Sequence, residues 1–418
     1  MAIDLQVPDE FKENSDLNEF LNRLIQNVNN ELSNHNWFVP RSTLPEKVVE
    51  GRVYYFSQAI SGSEIIYKGY WGHDGDKWVS LMSSYDFYFE VARGNVPGHS
   101  AVQKFGEIPD IDSGDGVLTV WDNKAPTLGP YGNYTPPTVA QTHDVASSVA
   151  ADTGTVTSSG TATGGSTSTL EDTGATFSTD GVLVGDMLLN DTDDAIGVVT
   201  AITSETELAV AGLMRSPTSG GNSGPTNDDG DSYRVVTNAS TGVSIIHLQG
   251  IAVDRTSQSE FVVLNGTSNV ATTNTYYRQF RGQVFGRGTT GASGDITSTA
   301  QTDATVSLRV SATRNQTMMA VYTVPIDKDA KIIQWWASLS KKGNASVIVN
   351  LWVGILDGIP YPVQPRTLNA TGSSEFRHES PLPWNVPGGA EIWVTADTDT
   401  NNSGVSAGFD IVLIDKGF

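Results

Sequence analysis

The chain has 418 residues with 25 Lys and Arg against 47 Asp and Glu, which gives a net charge of −22, and it contains no Cys. The absence of Cys excludes disulfides, thiolate metal sites and cysteine nucleophiles. The negative charge argues against binding a phosphate backbone, so we expect no nucleic-acid partner. Charged residues make up only 17% of the chain, and Gly, Ser, Thr and Asn take their place, as is typical of β-rich proteins.

The N-terminal stretch predicts an amphipathic helix. Asp16 and Glu19 have the spacing of a capping box. An apolar stripe follows at helical spacing and consists of Leu17, Phe20, Leu21, Leu24, Ile25, Val28 and Leu32. The stripe must be buried, either on the following domain of the same chain or on a neighbouring subunit. For the second alternative, the predicted assembly contacts are Leu17, Phe20, Leu24 and Val28.

Neither a signal peptide nor a membrane span is expected. The first sixteen residues lack a basic segment followed by an apolar run. Nowhere do 18 apolar residues occur together, so we expect no membrane partner. We therefore expect a protein that is made in the cytoplasm of its cell.

Residues 50–106 predict a small aromatic β module followed by a turn-rich segment. Alternating runs at 52–56, 64–68 and 77–81 indicate strands. The aromatic residues of these runs could form either a core or a sugar-binding platform, and both alternatives stay open. After Tyr85, the helix breakers Gly94, Pro97 and Gly98 predict an extended path without a helix.

The segment 156–237 predicts a small inserted β domain. It holds two basic and twelve acidic residues, a net charge of −10. Strand-like runs at 181–186, 196–199 and 206–210 alternate with turn residues. Strand patterns also precede and follow the segment, which is typical of a domain inserted at an exposed turn.

The rest of the chain completes an all-β prediction. Strand patterns recur every ten to fifteen residues after residue 241, as in antiparallel sandwiches and jelly rolls. The predicted fold is an N-terminal helix, an aromatic β module, an inserted β domain and a C-terminal antiparallel β-sandwich of jelly-roll type. The predicted divisions are 1–49 (helix and arm), 50–106 (aromatic module and turn-rich segment), 107–155 (extended linker and first central strand), 156–237 (inserted acidic domain), 238–300 (central β domain) and 301–418 (C-terminal sandwich).

The search for catalytic and metal-binding motifs yields weak candidates only. The six His do not occur at metal-ligand spacing, and no serine-hydrolase elbow, P-loop or dinucleotide fingerprint is present. We therefore expect a protein that is not an enzyme and needs no cofactor. Distant carboxylates could still pair for glycoside hydrolysis. Two acidic turns offer oxygen ligands for Ca²⁺, against the alternative of solvated turns, and the candidates are Asp191, Asp193, Asp228, Asp229 and Asp231.

Trp335 and Trp336 are adjacent within a predicted strand. Because neighbouring residues of a strand face opposite ways, one of them should lie in the sandwich core. The other is a candidate for a subunit contact.

Several stretches resemble a family of virion structural proteins of marine tailed bacteriophages. The resemblance rests first on 85–106 (YDFYFEVARGNVPGHSAVQKFG) with Val120-Trp121-Asp122-Asn123 downstream. It continues through 264–267 (LNGT), 270–276 (VATTNTY), 322–325 (YTVP) and 406–413 (SAGFDIVL). The pieces 160–164 (GTATG), 172–175 (DTGA) and 184–186 (VGD) are similar to small β modules of phage head and tail surface proteins. Segment 50–81 resembles an aromatic hairpin module of phage fibre or adaptor proteins.

The resemblance implies a structural component of a tailed-phage virion, made in the host bacterium and exposed on the head or the tail. Such a decoration or fibre protein would act by contacts with other virion proteins and with copies of itself, a trimer being favoured. Two alternatives stay open. One is a receptor-binding tail fibre that recognises a host-surface glycan, and the other is a polysaccharide depolymerase.

Overall fold

The computed structural model of the chain divides into two units, Met1–Pro97 and Gly98–Phe418. The structure describes residues 42–45, 53–56, 69–73, 78–80, 84–94, 96–123, 133–215, 225–237, 241–286, 291–340, 345–355, 359–371 and 374–417. The predicted N-terminal helix, with Leu17, Phe20, Leu24 and Val28, lies outside these residues. No helix in the described part of the chain is both long and apolar enough to span a membrane.

The protein is all-β, as the sequence predicts, with antiparallel sheets and two short helices among the described residues. The helices are α1 (Ser84–Ala92) and α2 (Phe177–Asp180). The strands are β1 (Val53–Phe56), β2 (Gly69–His73), β3 (Trp78–Ser80), β4 (His99–Ile111), β5 (Leu118–Thr119), β6 (His143–Ser147), β7 (Thr155–Thr161), β8 (Gly164–Gly165), β9 (Thr169–Glu171), β10 (Met187–Asn190), β11 (Ala195–Ser204), β12 (Glu207–Arg215), β13 (Ser232–Thr237), β14 (Ile245–Ala252), β15 (Ser257–Val263), β16 (Val270–Ala271), β17 (Tyr276–Phe285), β18 (Ile296–Ala300), β19 (Val306–Val310), β20 (Val321–Thr323), β21 (Lys328–Ser340), β22 (Ser346–Gly354), β23 (Tyr361–Asn369), β24 (Glu375–Val386), β25 (Glu391–Thr398) and β26 (Ser403–Asp415).

The first unit contains an aromatic three-stranded sheet in the order β1-β2-β3. Tyr54, Phe56 and Trp71 are buried together, and Trp78 packs edge-on with ring centroids 5.2 Å from Tyr54 and 5.3 Å from Phe56. Cross-strand aromatic pairs of this kind stabilise a sheet too small to have any other core. These four aromatic residues therefore form a core.

The prediction of an extended path after Tyr85 is wrong, because residues Ser84–Ala92 form α1. The helix ends before Gly94, Pro97 and Gly98, so these helix-breaking residues do not prevent it from forming. Gly94 has a φ of +73°, in the left-handed region that favours glycine, and its N–H donates to the carbonyl of Val91. The breakers therefore mark the end of a helix and not its absence.

The C-terminal part of the second unit is a sandwich of two antiparallel sheets. One sheet has the order β20-β25-β22-β23, with β5 paired to β25, and the other has the order β24-β21-β26-β4. Inward-facing residues of both sheets form the largest apolar cluster, which includes Trp335, Phe409, Leu351 and Val394. Alternation of buried and exposed residues along the strands produces this core.

The prediction of a linker over 107–155 is wrong at its start, because β4 runs from His99 to Ile111 and pairs along β26. The predicted boundary at residue 106 therefore falls inside a strand. Gly106 belongs there because a Cβ would lie 2.2 Å from the carbonyl oxygen of Val120. The glycine that indicates a break in the sequence instead permits a close approach of two backbones.

Two further sheets form the centre of the second unit, which we call the central sheets. One has the order β15-β14-β17 and the other the order β16-β6-β18-β19. Leu248 and Val262 of the first sheet share an apolar cluster with Val145 and Leu308 of the second. The predicted boundary at 300/301 falls in the turn between β18 and β19, which are paired strands, so the C-terminal sandwich begins later than predicted.

The acidic segment folds as one seven-stranded sheet in the order β7-β13-β10-β11-β12-β9-β8, which we call the acidic module. Leu188, Phe177 and Tyr233 are buried in its own apolar cluster. Its first strand, β7, pairs with its last, β13, so that Thr155 lies opposite Thr237. The two ends of the module therefore lie side by side.

The predicted strand at 181–186 is wrong, because this run forms a turn and β10 begins only at Met187. Gly181 and Gly185 have φ values of +88° and +101°, conformations that a strand does not contain. Val182 is nevertheless buried, since it caps the core of the acidic module. The apolar pattern of the run reflects this burial rather than a strand.

Candidate functional site

The acidic module packs onto the central sheets through the face opposite to its own core. On β10, Leu188 points into the module, whereas Met187 and Leu189 pack with Ile245 and Phe261 of the central sheets. Residues that alternate along a strand face opposite ways, so one short strand serves both clusters. This contact places several polar side chains in an apolar setting.

Asp194, at the end of the turn between β10 and β11, is the most constrained of these side chains. Its carboxylate oxygens lie 2.8 and 3.0 Å from Nε2 of His247, and the hydroxyl of Ser259 donates to Oδ2 at 2.7 Å. Its φ of +52° lies in the left-handed region, which costs a non-glycine residue about 1 kcal/mol. The surrounding hydrogen bonds hold the residue in this conformation.

The combination of Ser, His and Asp does not form a nucleophilic triad. A carboxylate only accepts, so Nε2 of His247 carries the proton that is donated to Asp194. Nδ1 then accepts from the amide of Gln249 at 3.3 Å. Ser259 donates to the Asp and not to the imidazole, so His247 is not placed to take its proton. The arrangement joins the module to the sheets.

A polar cavity of about 430 Å³ lies beside Asp194 and is lined by Asp191, Arg234, Ser259, Glu260 and Asn274, among others. The guanidinium of Arg234 donates to both carboxylate oxygens of Asp191 at 2.7 Å and to the carbonyl of Phe261 at 2.9 Å. Burial raises the pKa of Glu260, although its carboxylate accepts hydrogen bonds from the backbone N–H groups of Thr273 and Asn274. The cavity thus offers charged and amide groups at the contact between the acidic module and the central sheets, which we call the junction.

The two candidate Ca²⁺ turns lie close together in the structure. Many of their carboxylate oxygens, however, already accept hydrogen bonds or form an ion pair with other residues of the protein. Asp191 pairs with Arg234, and Asp231 accepts from the amide of Asn190 at 3.0 Å and from the backbone of Asp228 at 2.8 Å. Asp193 accepts from the backbone of Thr226 at 3.3 Å. Asp228 and Asp229 lie on the exposed side of the turn. Across the described ranges, no group of three or more carboxylate or imidazole side chains converges on a metal-sized position.

The predicted tryptophan pair divides as the alternation of a strand requires. Trp335 is fully buried in the sandwich core, and its indole N–H donates to Gln364 at 2.9 Å. Trp336 is half-buried, with its ring lying close to Gly408 on the neighbouring strand. Trp335 is therefore the member of the pair that lies in the core and is not available for an assembly contact, which leaves Trp336 as the candidate for a subunit contact.

Sequence reasoning missed the junction residues His247, Ser259 and Glu260. One signal for His247 was present: it interrupts the apolar run Ile245-Ile246-His247-Leu248. A histidine within a buried strand requires hydrogen-bond partners, and here an aspartate of a distant segment provides one. Ser259 and Glu260 carry no such signal, because polar residues are ordinary in strands that face solvent on one side.

A comparison with protein-family models found no match, and neither did a comparison with curated proteins.

Proposed function

We propose that this chain is a structural, non-enzymatic component of a tailed-bacteriophage particle, exposed on the capsid or the tail and acting through assembly contacts. The observation that carries the proposal is the display of apolar side chains at the margin of the C-terminal sandwich. Ile359, just before β23, is 91% exposed, and Leu382, in β24, is 84% exposed. Apolar side chains this exposed can be buried by contact with another surface, which would remove their area from water.

The local backbone favours contact through these side chains rather than through strand pairing. Glu379 pairs with Gln334 and Trp384 pairs with Ile332, so residues 380–383 form a bulge that presents Leu382. Pro residues flank both exposed side chains in the sequence, at 360, 381 and 383. Since Pro has no N–H to offer a neighbouring strand, these edges are protected from unspecific pairing.

Ile359 precedes β23 and Leu382 lies in β24, and these two strands are edge strands, one in each sheet of the sandwich. The guanidinium carbon of Arg366 lies 4.7 Å from the ring centroid of Phe376, so β23 and β24 contact each other across the two sheets. Both exposed residues therefore belong to one margin of the sandwich, and a homo-oligomer, with a trimer favoured, is the proposed use of this margin.

Analytical ultracentrifugation of the purified full chain tests this proposal. The wild-type chain should sediment as a homo-oligomer, and Ile359→Asp with Leu382→Asp should shift it to a monomer. A matched control is Val253→Asp, which charges an exposed apolar residue of the central sheets and should leave the oligomer intact. A wild-type monomer at micromolar concentration would contradict self-assembly. Failure of antibodies against this chain to label phage particles from an infected culture would contradict the virion role.

Recognition of a host-surface glycan is a second candidate, supported by the polar cavity. Carboxylates, an amide and a guanidinium around a space of about 430 Å³ suit a hydroxyl-rich ligand. On a glycan array, the wild-type chain should bind and Asn274→Ala should bind less. Equal signals for both would count against this cavity, and release of reducing ends from a bound polysaccharide would indicate a depolymerase instead.

A further inference from the structure

A second cavity, of about 380 Å³, lies at the same junction but has different chemistry. The cross-strand pair Ile196 and Met214 forms its wall on the acidic module. Phe261, Val284 and Phe285 form its wall on the central sheets. We call this space the apolar cavity. Its volume falls within the range of small-molecule sites, about 300–1,000 Å³.

The apolar cavity extends from the surface to a buried inner end. Met214 is 61% exposed, which places one wall at the surface, whereas Ile196 is buried. His247 also lines the inner part, but it is buried and both of its ring nitrogens are engaged, by Asp194 and by Gln249. It therefore presents the body of its ring to the cavity rather than a polar atom.

The polar residues that line the apolar cavity comprise one guanidinium and three carboxamides, and none of them is acidic. They come from β17 and from the segment after β19, and they are Gln283, Arg314, Asn315 and Gln316. The carboxamide oxygen of Asn315 accepts from the backbone of Ala292 at 3.1 Å, so the group it can offer a ligand is its NH₂. The side chain of Arg314 is 42% exposed, and its guanidinium pairs with Glu107 at 2.7 Å.

This lining points to an amphiphile whose polar end is an anion. Arg314 carries five N–H donors, more than its pair with Glu107 uses, so it can bind a second carboxylate. The aromatic and aliphatic walls would hold the remainder of the ligand. A hydroxyl-rich sugar does not suit such walls, which separates this cavity from the polar one.

We propose that the apolar cavity is a binding site for a small carboxylic acid with an aliphatic or aromatic body, whose carboxylate contacts Arg314. The ligand would lie between the acidic module and the central sheets and would contact both. The inference is independent of the proposed virion role, because it rests on the cavity alone.

Fluorescence titration with 1-anilinonaphthalene-8-sulfonate tests the site, since this probe combines an aromatic body with an anionic group. The wild-type chain should enhance its fluorescence with a single class of sites, and decanoate should displace it. Met214→Trp fills the space from its exposed side and should weaken probe binding at least roughly tenfold. The matched control Leu183→Trp places the same ring on an exposed apolar position of the acidic module outside the cavity and should change binding less than about twofold.

Two variants at the surface test the carboxylate contact without touching the core. Arg314→Gln should weaken displacement by decanoate roughly tenfold and leave displacement by neutral 1-decanol within about twofold. Glu107→Gln releases Arg314 from its present partner and should strengthen decanoate binding. No fluorescence enhancement, or equal binding by wild type and Met214→Trp, would overturn the site. An equal loss for decanoate and decanol in Arg314→Gln would overturn the assignment of an acid.

Discussion

The carboxylate of Asp152 accepts a hydrogen bond from the backbone N–H of Val243, with 3.1 Å between Oδ1 and nitrogen. Asp152 precedes the acidic module and Val243 follows it, so this contact joins the two ends of an excursion of about ninety residues. The same carboxylate accepts from the backbone of Ser293 and Gly294, each at 2.9 Å, and from the hydroxyl of Ser147 at 2.7 Å. One buried side chain thus holds three separate segments of the central sheets.

Replacing Asp152 with Asn should destabilise the full chain by about 3 kcal/mol. The substitution keeps the volume but removes the charge, and it turns one acceptor oxygen into an NH₂ group that faces a donor. Buried donors left without an acceptor each cost free energy, because they are hydrated in the unfolded chain. The measurement is the urea midpoint of unfolding followed by circular dichroism.

The control for this change is Asp254→Asn, at an exposed carboxylate that hydrogen-bonds within its own turn to Thr256. It should shift the urea midpoint much less than Asp152→Asn does, because the carboxylate is exposed to water. Equal midpoints for Asp152→Asn and the wild-type chain would mean that the junction is not held by this carboxylate.

Removal of the acidic module should leave a folded remainder. Thr155 and Thr237 are cross-strand partners, so two glycines can bridge the gap after residues 156–237 are excised. The excision also uncovers Ile245 and Phe261, which the module covers, and we therefore expect a lower melting temperature than in the full chain.

Size-exclusion chromatography and far-UV circular dichroism measure the outcome. A soluble species with a strand spectrum and a cooperative melt is the expected result. Persistent aggregation of the excised chain, when the full chain is soluble, would mean that the module is an obligatory part of the core rather than an insertion.

The sequence predicts most strands that are buried on at least one face, because alternation of apolar and polar residues is a local property. The strand at Val347–Val353 is an example, and in the structure β22 runs over Ser346–Gly354. Edge strands were missed where Pro interrupts the pattern, as in β23 and β24. Pro is tolerated there because one side of an edge strand does not need to donate a ladder hydrogen bond.

The junction could not be predicted, because it depends on contacts between distant segments. Asp194 and His247 are 53 positions apart and meet only after the acidic module packs on the central sheets. The sequence does indicate the module itself through its charge of −10. It cannot indicate which of the module's acids face inward, since pairing and register decide this.

We expect the buried Lys104 side chain to lower the free energy of unfolding, so Lys104→Met should stabilise the protein. The side chain is buried, and its Nζ donates to the carbonyl oxygen of Phe280. Burial lowers its pKa well below the ordinary value, and the charge of Arg281 lowers it further. The folded state thus holds a neutral amine at a pH where the unfolded chain holds an ammonium group, so stability rises with pH from the lowered pKa up to about 10.5.

Chemical denaturation at pH 7 to 10 measures the effect. Lys104→Met should be more stable than wild type by at least about 1 kcal/mol at pH 7, with the difference shrinking towards pH 10. The control Lys331→Met removes a more exposed lysine and should raise the stability at pH 7 less than Lys104→Met does. A loss of stability in Lys104→Met would show that the hydrogen bond to Phe280 outweighs the cost of neutralising the amine.

His143 should make the central sheets sensitive to acid. Its Nδ1 lies 3.1 Å from the carbonyl oxygen of Gln141, so this nitrogen carries the proton, and Nε2 accepts from the hydroxyl of Ser307 at 2.8 Å. Burial lowers the pKa of His143 to about 4, whereas in the unfolded chain it lies near 6.5. Between these values the unfolded state binds a proton that the folded state does not. The stabilising effect of the neutral ring is therefore complete above pH 6.5 and is lost progressively as the pH falls towards 4, by about 3 kcal/mol in total.

The comparison of wild type with His143→Gln isolates this contribution from that of the many carboxylates, which titrate in both proteins. His143→Gln should be less stable than wild type at pH 7, because glutamine reproduces the two hydrogen bonds imperfectly, but the difference should shrink or reverse near pH 4. His378→Gln, at a partly exposed position of the C-terminal sandwich, is the matched control and should lower the stability at pH 7 less than His143→Gln does. Parallel curves of stability against pH for wild type and His143→Gln would mean that the imidazole does not titrate differently in the folded and unfolded states.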